Sequence, residues 1–398
     1  MSREREPKAP ERTSLVELAR LFLKLGTVAF GGPAAHVAMM EDEVVRRRGW
    51  LTREQFLDYV GATNLIPGPN STELAIHIGH ARAGWPGLLV AGACFILPAA
   101  LIVGAIAWAY VRFGALPEVA GLLHGVKPVV IAVVLQALWG LARTALKTRG
   151  LAVLGALALV AAALGAHELV ILAAAGAASV LARAVTRRRG ARRPGATLSL
   201  LAGAAPERLG DTLRPAAVGA TAGAASVALW PLFAVFVKVG AVLFGSGYVL
   251  LAFLRADLVE RLHWLTERQL LDAVAVGQVT PGPVFTTATF VGYVLAGAPG
   301  AAVATAGIFL PAFVFVALSG PLVPRLRRSP AAGAALDGVN VASLALMAVV
   351  SWQLGRAALV DPLTVALAGA SAWLLLRYRV NSAWLVIAGG VVGLAASR

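Results

Sequence analysis

The sequence predicts an all-α polytopic membrane protein built from two homologous repeats, and three observations carry that prediction. Hydrophobic residues fill 59% of the 398 positions and charged residues only 14%, with a mean hydropathy of +0.78. A soluble chain carries about 25% charge, so this much apolar surface needs lipid to cover it. Apolar runs approach the roughly 20 residues that span a bilayer, among them Trp85–Tyr110, Val126–Leu141, Leu151–Ala166, Leu169–Ala182, Ala301–Ser319, Val339–Leu354, Leu363–Leu376 and Ala383–Ala396. Third, the chain repeats itself around a proline-glycine-proline break.

Residues 22–69 slide by 214 positions onto 236–283 without a gap, and 19 of the 48 pairs are identical. Phe22, Lys24, Gly26, Phe30-Gly31, Trp50-Leu51-Thr52, Gln55, Asp58 and Pro67-Gly68-Pro69 all recur. Beyond a one-residue deletion the match continues at 213, pairing Gly79 with Gly292, Pro86-Gly87 with Pro299-Gly300, Pro98 with Pro311 and Arg143 with Arg356. Duplicated apolar sequence with breaks at matching places is the signature of a membrane transporter. The chain divides into a tail at 1–13, a first repeat at 14–186, a basic linker at 187–228 and a second repeat at 229–398. Met1–Arg12 has no apolar core and reads as a cytosolic tail, not a signal peptide. Single Cys94 forms no internal disulfide.

Loop charges favour inverted repeats. Arg143, Lys147 and Arg149 make one loop basic, whereas its counterpart sets Arg356 against Asp361. Arg325, Arg327 and Arg328 make the next loop basic in the second repeat, where the first has only Arg112. The basic, inward-facing loop therefore alternates between halves. Inversion requires an odd number of crossings between equivalent points, which makes Pro215–Leu229 a candidate extra span. The net charge of +15 belongs to such loops, and nucleic acid is not an expected partner because no basic face carries interleaved aromatics.

Thr52 with Gln55, and Thr266 with Gln269, match the capping box that starts a helix. The first such helix reaches only to about Ile66 before Pro67 and Pro69 stop it. That is roughly 20 Å of helix, short of a core of about 30 Å, so the break lies inside the membrane. New half-helices start near Asn70 or Ser71 and near Thr286 or Thr287. Broken backbone survives in lipid only where it lines a cavity, and a half-helix N-terminus suits an anion. The glycine turns at Gly31-Gly32 and Gly245-Ser246 fit the same logic.

The candidate substrate-binding residues follow from this. Lys24 and Lys238 are equivalent cations inside apolar sequence. Asn64, Gln278, Asn70, Ser71, Thr72, Thr286 and Thr287 supply neutral donors around Gly68 and Gly282. Asp58 and Asp272 recur on the helices leading into the breaks, either pairing with the lysines or favouring the helix dipole. With Glu73 and His36 they are the coupling or gating candidates. Glu73, His77 and His80 share a helix face as metal ligands do, but Thr287 replaces the glutamate and neither histidine recurs, so no metal and no cofactor is expected.

Phe30-Gly31-Gly32-Pro33 with His36, Met40, Glu43, Arg47, Trp50-Leu51, Asn64 and Pro67-Gly68-Pro69, and in the second half Trp264-Leu265-Thr266, Gln278 and Thr280-Pro281-Gly282-Pro283, resemble the chromate ion transporter family in its long, two-domain form. The resemblance implies a secondary transporter of the bacterial inner membrane that exports chromate, confers chromate resistance and meets sulfate as a related anion. Sulfate uptake, an anion channel and, further off, a membrane-embedded enzyme are the alternatives. No catalytic residues are assigned: no nucleophile-base set recurs in both repeats, and no Gly-x4-Gly-Lys-Ser/Thr loop is present. Lipid is the surrounding partner, and a homodimer is an open arrangement.

Overall fold

The protein is described by a computed structural model over residues 13–29, 32–114, 117–191, 227–244, 249–378, 380 and 382–396. The first repeat holds α1 (Leu15–Val28), α2 (Gly32–Glu41, continued by a wider π turn over Asp42–Arg47), α3 (Arg53–Thr63), α4 (Asn70–Phe113), α5 (Pro117–Ala145), α6 (Arg149–Ala163) and α7 (Glu168–Ala191). The second holds α8 (Leu229–Val242), α9 (Leu250–Leu254, with a π turn over Arg255–Arg261), α10 (Glu267–Val279), a 3₁₀ turn at Val284–Thr286, α11 (Thr287–Arg328), α12 (Pro330–Ala358), α13 (Pro362–Tyr378) and α14 (Ser382–Ala396). Among the described residues, five helical stretches are long and apolar enough to cross a membrane. The multi-pass reading holds.

The capping boxes form as expected. Thr52 Oγ1 accepts from the Gln55 N–H at 3.2 Å while Gln55 Oε1 accepts from the Thr52 N–H at 3.0 Å, and Thr266 with Gln269 does the same. The half-helices after the breaks begin at Asn70 and Thr287. One boundary differs: α3 ends at Thr63, not near Ile66. Pro67 disfavours helical backbone just before it, and the Asn64 side-chain amide donates to the Val60 carbonyl at 3.0 Å.

The first four helices make two hairpins that enter and leave by one face. The Thr13 N–H donates to the Arg82 carbonyl, and the Arg82 guanidinium reaches Thr13 Oγ1 at 2.8 Å and the Trp50 carbonyl at 3.0 Å. Residues 13, 50 and 82 therefore share a surface, while α1 and α3 end deep inside. At Ala83 and Gly84 (φ +62°) the chain reverses. Gly79 and Gly87 meet so closely there that a Cβ on either would strike the other's carbonyl. The rest of α4, 85–113, runs about 43 Å at 1.5 Å per residue and crosses; α5 returns. The second repeat copies this, reversing at Ala296 and Gly297 (φ +63°).

The copy is upside down. Asp272, near the start of α10, accepts from the Tyr110 hydroxyl near the far end of α4 at 2.9 Å. At the other face, Lys147 after α5 meets Asp337 near the start of α12 at 2.8 Å. The Arg46–Arg48 turn, Arg82, the α5–α6 loop and the α11–α12 junction thus lie on one basic face. Of the expected extra span at Pro215–Leu229 only residues 227–229 are described, with Leu229 opening α8; the rest falls outside the described residues, as do 1–12 and most of the linker.

Glycine sets the close packing, as small residues do between membrane helices. Gly26 of α1 rests on the Phe95 carbonyl of α4, and its equivalent Gly240 on the Ile308 carbonyl of α11. Gly125 of α5 rests on Gly389 of α14, and its equivalent Gly338 of α12 on Ala175 of α7. Each repeat's α5 or α12 is thereby wrapped by the other's terminal hairpin.

Gly282 combines two constraints: its φ is +87°, and a Cβ there would lie 2.6 Å from Ala99 Cβ and 3.0 Å from the Gly26 carbonyl. Gly282→Ala should cost about 1–3 kcal/mol and lower the melting temperature in detergent. Gly369→Ala, on a helix surface with nothing within 4 Å, should leave it unchanged; equal effects would refute this account.

Candidate functional site

Each proline-glycine-proline break binds the other repeat. Prolines 67 and 69 have no N–H, so Gly68 is the donor between them; it donates to the Leu243 carbonyl at 2.8 Å. Gly282 donates to the Ala29 carbonyl at 2.9 Å. Leu243 and Ala29 are the C-caps of α8 and α1, whose last carbonyls would otherwise lack partners. Gly68 (φ +138°) and Gly282 adopt backbone that other residues rarely take. Both breaks therefore meet at the centre.

A cavity of about 840 Å³ reaches this centre from the basic face. Pro33, Asn64 and Asn70 form its floor, Gln136, Asn340 and Ser343 its polar walls, and Arg143 and Lys147 line it towards the basic loops. The Asn70 amide donates to Asn64 Oδ1 at 2.8 Å, bridging the break. α2 starts at Gly32 beside Pro33, and α4 starts at Asn70 after Pro69 with no side-chain cap. Two helix N-termini, each roughly half a positive charge, thus face the cavity floor. His36 fixes their relation: its ring nitrogens contact Ser71 Oγ at 3.2 Å and the Ala29 carbonyl at 3.0 Å.

Beneath the floor lie polar atoms without a hydrogen-bond partner: Thr72 Oγ1, both carboxyl oxygens of Glu73 and His77 Nε2. Glu73 is fully buried, and one of its oxygens presses against the Cα side of Gly68. His77 stacks on Tyr59. In the second repeat Gln278 Nε2 is likewise buried and unpartnered. Thr286 and Thr287 turn their hydroxyls onto the Pro283 and Val284 carbonyls, each at 2.8 Å. Gly31, Gly245 and Ser246 lie outside the described residues.

The lysines take partners other than the recurring aspartates. Lys24 meets Glu43 at 2.7 Å, and Lys238 meets Asp257 at 2.8 Å and Glu168 at 3.7 Å. Glu43 and Asp257 stand 214 positions apart, as Lys24 and Lys238 do, so one ion pair is built twice. Arg47 and Arg261, also equivalent, approach the same acids. Asp272 instead meets Lys127 at 2.9 Å, whereas Asp58 is exposed. Neither Lys24 nor Lys238 lines the cavity.

Sequence reading did not single out the Glu43 and Asp257 pair, because the repeat keeps their charge but not their identity. Lys127 carried a usable signal, since it is a cation inside the apolar run beginning at Val126. It was not marked because Asn340 occupies its position in the second repeat.

The family described as Chromate transporter matches this chain twice, at residues 16–180 and 230–394. A chromate transport protein of Cupriavidus metallidurans is 34% identical over 397 residues, covering 98% of this chain and 94% of its own. One from Pseudomonas aeruginosa is 32% identical over 392 residues, covering 96% and 93%. An uncharacterized transporter of Methanocaldococcus jannaschii is 26% identical over 323 residues, covering 79% and 78%. No solved structure matches. With duplicated breaks, crossed glycine bonds and both halves matched, the chain belongs to the chromate transporter family.

Proposed function

We propose that this protein exports chromate from the cytoplasm across the inner membrane by alternating access, with sulfate competing for the same site, and so confers chromate resistance. The observation that carries the reading is the cavity floor, where two helix N-termini and the Asn64 and Asn70 amides face a space open to the basic face. The positive-inside rule supports a cytosolic assignment for that face. Neutral donors hold a tetrahedral oxyanion and still let it leave. Its relatives' names supply chromate; similar size and charge supply sulfate. At 100 mV, negative inside, outward movement of a dianion gains about 4.6 kcal/mol, twice the roughly 2.3 per charge.

Glu73 is the coupling group in this reading. Its carboxyl sits in the first turn of α4 with no ion-pair partner among the described residues, and an ionised carboxylate there would cancel the N-terminal field that attracts the anion. Binding the anion therefore goes with a proton on Glu73. Lys24 and Lys238, each held by an acid across a re-entrant hairpin, keep those hairpins closed and attract anions when released. Asp58, equivalent to the buried Asp272, serves as a gating carboxylate on the basic face.

Everted vesicles test the function: energised vesicles should accumulate chromate, and excess sulfate should block accumulation. Absence of uptake above empty vesicles would remove chromate as substrate, while non-saturating flux without counterflow would favour a channel. Glu73→Gln, a fixed neutral form, should transport with its pH dependence flattened; an unchanged pH profile would exclude Glu73 from coupling. Lys24→Ala and Lys238→Ala should each lower the rate without preventing insertion, and Lys24→Ala with Glu43→Gln should fall by less than the sum of the single changes. Undiminished rates in both single variants would take the lysines out of the mechanism.

A further inference from the structure

A second vestibule, of about 830 Å³, opens on the face opposite the basic one and is lined by His124, Lys127, Arg268, Leu271 and Asp361 among others. It occupies the position related to the first cavity by the repeat: His124 corresponds to Asp337, and Lys127 to Asn340. The two differ in depth. The basic-face cavity reaches Asn64 and Asn70 at the break. The opposite vestibule ends on Leu271 and Lys127, with Asp272 fully buried behind them.

One equivalent pair of residues shows the two halves in opposite states. Asp58 on α3 is exposed, whereas Asp272 on α10 has no exposed surface. Asp272 is held by the Lys127 ammonium of α5 at 2.9 Å and by the Tyr110 hydroxyl of α4 at 2.9 Å. Lys127 is itself only 12% exposed. Three helices from both repeats are thus fastened at one point, on the helix that runs into the second break.

We propose that Lys127 is an oxyanion-contacting residue whose partner alternates: the Asp272 carboxylate while the opposite vestibule is shut, and the transported oxyanion when it opens. In the shut state the carboxylate stands where a substrate oxygen would sit. When the second repeat takes up the arrangement now seen in the first, Asp272 becomes exposed as Asp58 is. An ammonium left alone at that depth is costly, so the arriving dianion replaces the carboxylate. Arg268, in the same vestibule, then draws the anion outward. Tyr110 is a positioning residue that orients Asp272.

This inference rests on oxyanion transport but not on chromate or on direction. The test uses Leu271→Cys in a Cys94→Ser background, with a membrane-impermeant maleimide applied to the opposite face of oriented vesicles. Leu271 is buried at 2% exposure, so labelling should be slow. Asp272→Asn should speed it about tenfold, corresponding to roughly 1.4 kcal/mol of lost closure. Sulfate should slow labelling of the Asp272→Asn protein, and adding Lys127→Gln should abolish that protection while Lys127→Arg retains it. Protection that persists without Lys127, or labelling that Asp272→Asn leaves unchanged, overturns the proposal. Failed chromate uptake with sulfate protection intact would instead void only the substrate reading.

Discussion

Two backbone hydrogen bonds, from Gly68 to the Leu243 carbonyl and from Gly282 to the Ala29 carbonyl, are the constraint on which the rest of the structure depends. A helix that stops in mid-membrane leaves carbonyls with no water to satisfy them, at several kcal/mol each. α1 and α8 both stop there. Neither repeat closes its own loose end, because its break points away towards its inverted twin. Each repeat is therefore incomplete alone, and the exchange of caps joins them where the basic-face cavity ends.

The same exchange explains why two similar sequences can rest in different states. The breaks are tied, so a shift of one hairpin pair is felt by the other. The scaffold of α5, α12 and their terminal hairpins packs through Gly125 and Gly338, where backbone meets backbone. The α1 and α8 arms pack through Gly26 and Gly240 in the same manner. Such small-residue interfaces let helices approach closely, and rocking of one bundle on another is how inverted repeats alternate access. The asymmetry lies in the side chains: the cavity at Asn340 reaches Asn64 and Asn70 at the break, whereas the one at Lys127 stops at Leu271 and the Lys127–Asp272 pair.

Much of the fold was legible because its decisive features are local. Capping boxes, prolines without N–H groups and glycines at positive φ act within a few residues, and the duplication marked them twice. The reversals at Ala83-Gly84 and Ala296-Gly297 were not legible. An apolar run opens at Trp85, and Pro86 and Pro299 sit as first-turn prolines at a helix start, but no local signal shows that the chain turns back there. The lysine partners were missed for a different reason. Glu43 and Asp257 reach Lys24 and Lys238 across a hairpin, a tertiary fact, while Asp58 and Asp272 drew notice by being identical. Of the candidate site, Asn64 and Asn70 are brought to the cavity floor, whereas the Thr286 and Thr287 hydroxyls are spent on their own turn.

Charge balance at the floor connects these parts. Two helix N-termini supply about one positive charge between them, which offsets half of a dianion. The remainder has to come from nearby groups, and the two breaks differ in what they offer. At the first, the proposed cycle removes the negative charge of Glu73 by placing a proton on it. At the second, Thr287 stands in the equivalent position, and in the proposed cycle Lys127 is released from Asp272 to meet the anion. An anion moving from one break towards the other under the proposed cycle exchanges compensation by a proton for compensation by an ammonium. That difference makes the two ends of the proposed path chemically distinct even though the fold that builds it is nearly symmetric.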